Sequence, residues 1–225
     1  MNRFSAFLII WLCSVCSSLT AAQTLPELAL WPSPVSGRLS QNIVLDTFQD
    51  STGAIWFSTQ EGLNLFDGKR VEIYRPSGIE QQSLASGSLI GVKQSVSGDI
   101  WVATSLSIQK FEPHSRTFKT PEPLENEALK IRDFSIGSYG QIWLAMKGAL
   151  GVYSPQSNQF FKLPLPNKTF PDEPEISGLI VDSSNHGYAA ISGYGVYELS
   201  IDGYDLIVEP IETTKEIARA SLGKI

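Results

Sequence analysis

An all-β chain built by repetition is the fold this sequence predicts, and three observations predict it. The first is a recurring phrase. Gly53-Ala54-Ile55-Trp56, Gly98-Asp99-Ile100-Trp101 and Gly140-Gln141-Ile142-Trp143 end on Trp at intervals of 45 and 42 residues. A fourth, degraded copy, Asn185-His186-Gly187-Tyr188, follows another 45 on. The second is a delayed aromatic. Phe66, Phe111 and Tyr153 lie 10 residues after their Trp, and Tyr197 lies 9 after Tyr188. The third is local: short segments of strand-like alternation separated by Gly, Asp, Asn, Ser and Pro. Four short antiparallel strands and one large aromatic per 42–45 residues make the repeat of a β-propeller blade. About four blades are expected, near 39–84, 85–127, 128–171 and 172–208. Residues 209–225 read as the start of a further blade or a truncated tail.

The first copy justifies its elements in order. Residues 43–49 alternate well enough for a strand. Asp50-Ser51-Thr52-Gly53 is a turn, in which the Asp carboxylate accepts local backbone N–H bonds and Gly takes the left-handed backbone. The fourth copy keeps Asp182 and puts Asn185 in place of Gly, the next most tolerant residue at positive φ. Residues 54–59 form a second strand, and Glu61-Gly62 turns the chain. Residues 63–67 form a third, Asp67-Gly68 turns again, and 70–74 form a fourth. In the second and third copies the last turn reads Glu112-Pro113-His114-Ser115 and Ser154-Pro155-Gln156-Ser157, followed by Phe118 and Phe160. Proline suits such a turn and not a central strand. One blade cannot bury its own faces, so the repeated Trp is the natural filler between neighbours. A β-sandwich has no reason to repeat Gly-x-x-Trp at this interval, and solenoid coils are shorter.

Ahead of the repeats lies an export signal. It has a positive Arg3, an apolar run over 4–16 and small residues ending in Thr20-Ala21-Ala22, with cleavage expected after Ala22. The apolar run is short for a bilayer span, which needs roughly 20 residues. Both cysteines, Cys13 and Cys16, fall inside it, as does Trp11. The exported chain therefore has no thiol, which excludes disulfides, Cys nucleophiles and Cys metal sites together. Residues 23–38 read as a leading strand, Leu28-Ala29-Leu30-Trp31, and a linker. Such a strand commonly completes the last blade of a propeller. If that blade is missing, the exposed edge predicts low solubility.

Little in the sequence carries chemistry. The formal net charge is −6, which disfavours nucleic acid as a partner. The two histidines, His114 and His186, read as solvated turn residues, and two cannot supply a His₃ site. Asp50 and Asp182 are explained by their turns. Glu122, Glu125 and Glu127, and Asp172, Glu173 and Glu175, form acidic clusters in Pro-containing linkers. Their ordinary reading is solvated loop, and the sharper one is a cation patch. No Gly-rich loop opens a helix, so nucleotide binding is not indicated. No catalytic residue, metal or cofactor is expected. The segments 113–129 and 163–176 are the widest gaps between blades, and Pro-stiffened loops on a rigid scaffold suit recognition.

The first copy also carries a resemblance. Gln49-Asp50-Ser51-Thr52-Gly53-Ala54-Ile55-Trp56-Phe57-Ser58-Thr59 runs on to Glu61-Gly62-Leu63-Asn64-Leu65-Phe66-Asp67-Gly68. This string resembles the two-component regulator propeller repeat of bacterial extracytoplasmic sensors. The second copy departs from it at Ser105-Leu106-Ser107-Ile108, the third keeps Trp143 and a Gly-rich Gly148-Ala149-Leu150-Gly151, and the fourth lacks its Trp. The resemblance covers about 39–205. It implies a periplasmic, non-catalytic region that senses a small-molecule or periplasmic ligand. It also implies a membrane helix and a histidine kinase or diguanylate cyclase output beyond it. Family propellers are typically seven-bladed, so the chain is expected to be an N-terminal piece of a longer membrane-bound sensor. A self-contained four-bladed ring, a propeller-fold lyase or hydrolase, and a stand-alone interaction propeller are the alternatives.

Overall fold

The computed structural model describes residues 33, 35–77 and 83–211. The expected signal and cleavage point, the leading strand at 28–31 and residues 212–225 of the tail lie outside the described residues. The first blade comprises β1 (Val44–Gln49), β2 (Ile55–Thr59), β3 (Gly62–Phe66) and β4 (Val71–Tyr74). These bounds fall within one residue of the strands predicted from the first copy. The second comprises β5 (Leu89–Gln94), β6 (Ile100–Thr104), β7 (Ile108–Glu112) and β8 (Thr117–Lys119). The third comprises β9 (Asp133–Ile136), β10 (Ile142–Ala145), β11 (Ala149–Ser154) and β12 (Gln159–Pro164). The fourth comprises β13 (Ile176–Val181), β14 (Gly187–Ile191), β15 (Gly195–Asp202) and β16 (Asp205–Pro210). Each blade is a four-stranded antiparallel meander, and the fold is the four-bladed propeller arrangement the repeat predicts.

The inner strands β1, β5, β9 and β13 lie side by side in that order. Among the described residues β13 makes no comparable contact back to β1, so the four blades form an open arc.

Register explains why the Trp recurs. In the first blade Phe48, Trp56, Leu65 and Glu72 are cross-strand partners in one row, so they share the face turned to the second blade. Trp56, Trp101 and Trp143 are 2%, 3% and 2% exposed. The delayed aromatic belongs to the same interfaces, one blade later. Phe111 meets Trp56 edge-on at 5.1 Å and Tyr153 meets Trp101 at 5.9 Å. Tyr197 joins the cluster around Trp143. Gly187 lies flat against that indole, where a Cβ would stand 2.7 Å from the ring. Each interface therefore takes the Trp of one repeat and the aromatic of the next. Tyr188 closes the series half-buried, on the face of the fourth blade that no described blade covers.

Polar contacts seal the inner ends of two seams. Asp46 accepts the N–H of Thr47 at 2.9 Å and that of Val92, in the next blade, at 3.2 Å. Asp133 accepts from Phe134 at 2.8 Å and from Leu179 at 2.7 Å. Ser135 Oγ takes the Val181 N–H at 3.0 Å. Toward the rim, Arg116 pairs with Glu72 across the first seam.

Candidate functional site

The meander divides the loops between two ends of the arc. One end carries the first and third turns of each blade. Gly53, Gly98, Gly140 and Asn185 occupy the same position of the first turn, at φ of +86°, +90°, +81° and +65°. Asp50 Oδ1 accepts from the N–H groups of Thr52 at 2.9 Å and Ala54 at 3.1 Å. Asp182 Oδ1 does the same for Ser184 at 2.9 Å and His186 at 2.8 Å. Ser95 Oγ takes the Asp99 N–H at 3.1 Å in the second blade, and Gly137 leaves the third without such a cap. Asp50 has a further task, since its Oδ2 accepts the Trp56 indole N–H at 2.9 Å. That bond ties the turn to the interblade core.

Partial burial opposes ionisation of Asp50, but hydrogen bonds from the Thr52 hydroxyl, the Trp56 indole and two backbone N–H groups outweigh it and lower its pKa below 3.8. A lowered folded pKa contributes stability above the unfolded value that is lost as pH falls through the folded one. Acidification below about pH 4 is therefore expected to destabilise the wild type more steeply than Asp50→Asn. Melting temperatures from pH 7 to pH 2.5 check this, and parallel curves would remove the role assigned to Asp50.

The histidines sit at this same end, in different blades. His114 is exposed in the turn before β8. His186 is exposed, with Nδ1 3.6 Å from Glu198 Oε1. No serine or cysteine stands with either in a nucleophile–base arrangement among the hydrogen bonds of the described residues. Val96, Tyr139 and Tyr204 project from turns of this end with large exposed apolar surface.

The opposite end carries the second turns and the long connections between blades. These connections are pinned rather than loose. The Ile131 N–H donates to Ser105 O at 3.0 Å, Gly148 to Pro174 O at 2.9 Å and Ser192 to Glu175 O at 2.9 Å. Phe170 packs edge-on against Tyr194 at 5.0 Å, and the Tyr194 hydroxyl donates to Asp172. That bond raises the Tyr194 pKa above 10.0. Arg132 pairs with Glu175 at 2.6 Å across the third seam. Among the described residues no three His, Cys, Asp or Glu converge on a metal-binding point.

Segment 113–129 is not one connection. Residues 113–116 turn at the first end, Thr117–Lys119 pairs with β7, and the passage between blades is 120–132, with a 3-10 turn at Glu122–Leu124. Three residues of outer strand, carrying the buried Phe118, were hidden inside a polar run. Segment 163–176 divides similarly, since β12 runs to Pro164 and β13 starts at Ile176.

Between the inner strands β1, β5 and β9 lies a cleft of about 340 Å³. Thr47, Lys93, Gln94 and Ser135 contribute to its walls. Lys93 Nζ stands 5.4 Å from the Phe134 ring centre, a cation–π distance. Gln94 is already engaged, accepting the Ser51 N–H at 2.8 Å and donating to Gly98 O at 2.9 Å. The cleft is a shallow polar recess on a rigid wall.

Fold and site thus define a propeller-type scaffold with one end of short capped turns and one end of tethered, Pro-rich connections. Solved structures similar to it include the extracellular domain of the hybrid two-component system BT3049 of B. thetaiotaomicron. That alignment has 21% identity, a TM-score of 0.61, 76% of this chain and 25% of that one. The extracellular domain of BT4673 from the same organism aligns at 16% identity and TM-score 0.58, over 75% of this chain and 22% of that one. Virginiamycin B lyase of Staphylococcus aureus aligns at 15% and 0.58, over 80% and 58%. These likenesses show the fold. In sequence, 53 residues are 42% identical to histidine kinase P4 of Formosa agariphila, covering 24% of this chain and 4% of that protein. No family model matches the chain. The chain thus spans about a quarter of the length of the similar extracellular domains.

Proposed function

We propose that this chain is an exported, non-catalytic sensing section of a two-component receptor, which binds a small molecule or periplasmic ligand and works together with a membrane-linked output. The observation that carries this reading is the joint likeness, in fold to extracellular domains of hybrid two-component systems and in 53 residues to a histidine kinase. The local chemistry supports it. The described residues offer a rigid scaffold and tethered connections, with both histidines on turns at the other end. The ligand is met at the end carrying 120–132 and 165–175, where length and composition vary most between blades.

A thermal-shift screen of the purified chain against metabolite and oligomer libraries tests the proposal. A ligand at about 100 times its Kd stabilises by about 2.7 kcal/mol, or about 5–10 °C for a domain of this size. The expected hit raises the melting temperature saturably, is recovered unchanged, and slows hydrogen exchange in 120–132 or 165–175. A hit consumed during incubation overturns the non-catalytic reading. Protection confined to the short-turn end overturns the choice of face.

A further inference from the structure

The second seam lacks an acceptor that the third one has. In an antiparallel pair, successive residues turn their N–H and C=O groups alternately toward the partner strand and away from it. Ser95 donates to Asp99 O at 2.9 Å and Gly137 to Gln141 O at 2.8 Å. The N–H and C=O groups of Gln94 and Ile136, one residue earlier, therefore point away from β6 and β10, along the edges of their sheets. The corresponding N–H in the fourth blade is that of Val181, and Ser135 Oγ of the third blade takes it at 3.0 Å.

One seam earlier the same contact fails. Ser135 lies eight residues before Trp143, and eight before Trp101 stands Lys93. An ammonium only donates, so it has nothing to offer the Ile136 N–H. Eight before Trp56 stands Phe48, which leaves the Gln94 N–H in the same condition. Neither N–H has an acceptor among the hydrogen bonds of the described residues. Lys93 forms no ion pair among them either, and its contact is the Phe134 ring, 5.4 Å from Nζ.

These three donors border one space. Lys93, Gln94 and Ile136 all line the cleft of about 340 Å³ between β1, β5 and β9, a volume at the small end of ligand pockets. Its walls come from three consecutive blades, and none of its lining residues belongs to the fourth. The carboxylate in the lining, Asp46, already accepts from Thr47 at 2.9 Å and Val92 at 3.2 Å. With Lys93 the lining sums to zero charge, so one added negative charge is accommodated more readily than two.

We propose that this cleft binds a small hydroxylated monocarboxylate. The carboxylate bridges Lys93 Nζ and the Ile136 N–H, standing against Ile136 as Ser135 Oγ stands against Val181. Both bonds are charge-assisted and so stronger than those to a neutral oxygen. The hydroxyls meet the Gln94 N–H and donate to the outward carbonyls of Gln94 and Ile136. The site is separate from the connections at 120–132 and 165–175, and it stands whether or not the propeller is a sensor.

Amide NMR on the purified full chain, titrated with gluconate at constant ionic strength, tests it. Glucitol, which carries a hydroxymethyl group in place of the carboxylate, is the neutral probe. Gluconate is expected to bind with a Kd below about 10 mM and to move the Ile136 and Gln94 amide signals saturably downfield. Glucitol is expected to bind at least about tenfold more weakly. Lys93→Met keeps the stem and removes the charge, and is expected to weaken gluconate at least about tenfold. Circular dichroism verifies that the variant is folded, and the comparison of the two probes on the wild type decides the matter even where it is not. A wild type without a saturable shift at Ile136 overturns the proposal, whatever fills the cleft. Equal binding of glucitol, a folded Lys93→Met that binds like the wild type, or shifts confined to 120–132 or 165–175 also overturn it.

Discussion

Trp101→Ala is expected to lower the unfolding free energy by about 3–5 kcal/mol, while Tyr188→Ala, at the same position of the repeat, costs about 1 kcal/mol or less. The difference comes from the next blade. Trp101 is buried in a cluster with Leu129, Phe134, Ile142, Leu144 and Tyr153, most of them from the third blade. Removing the indole leaves a cavity whose walls belong to two sheets and cannot collapse without moving one of them. Its Nε1 has no hydrogen-bond partner among the described residues, so the loss is one of packing. Tyr188 lies half-buried on the terminal face, where truncation exposes surface but opens no enclosed void. Urea denaturation followed by far-ultraviolet circular dichroism measures both. Equal costs would mean that the repeated aromatic stabilises its own blade and not the seam.

That contrast marks what the sequence could show. Blade number and strand bounds were legible because both follow from local rules. Positive φ at Gly53, Gly98, Gly140 and Asn185 is a backbone demand that a four-residue turn imposes wherever it occurs. The 42–45-residue Trp interval needs no knowledge of what the Trp touches. Pairing between repeats was not legible. The delayed aromatic was visible at Phe111 and Tyr153, but only register shows that each faces the Trp of the repeat before it. Asp46 and Asp133 went unnoticed because the phrase starts too late to include them. Aligning the copies ten residues upstream of each Trp, and of Tyr188, would have set Asp46 and Asp133 in alternation with Gly91 and Gly178.

The recognition surface was harder still. Its candidate residues share no motif, because connections between blades are the part of the repeat that packing does not constrain. The apparent gap at 113–129 joined a turn from one end of the arc to a connection at the other. Only the pairing of Thr117–Lys119 with β7 separates them. Two of the three acidic residues of 165–175 act as tethers, with Asp172 holding Tyr194 and Glu175 holding Arg132. Composition alone could not tell such clasps from a cation patch, since both place carboxylates in a Pro-rich loop.

Asp133→Ala is expected to cost about 3 kcal/mol, large for a partly exposed residue. Both carboxylate oxygens are in use, Oδ1 with Phe134 at 2.8 Å and Oδ2 with Leu179 at 2.7 Å. Alanine removes two charge-assisted bonds and leaves two backbone donors on inner strands, where the neighbouring blade restricts access of water. Phe134 and Leu179 are themselves buried, so the orphaned groups have little room to reorient. Asp133→Asn separates the two bonds. Its one carbonyl oxygen can satisfy a single N–H, while its amide nitrogen points a donor at the other, so it is expected to recover less than half of the loss. Equilibrium unfolding gives the magnitude, and hydrogen exchange at Leu179 gives the mechanism, since its amide should exchange faster in both variants. An alanine variant within about 0.5 kcal/mol of the wild type would mean that the third and fourth blades are held by the Trp143 cluster and the remaining seam contacts, without need of Asp133. The alternation of Asp46 and Asp133 with Gly91 and Gly178 on successive inner strands would then have no energetic basis.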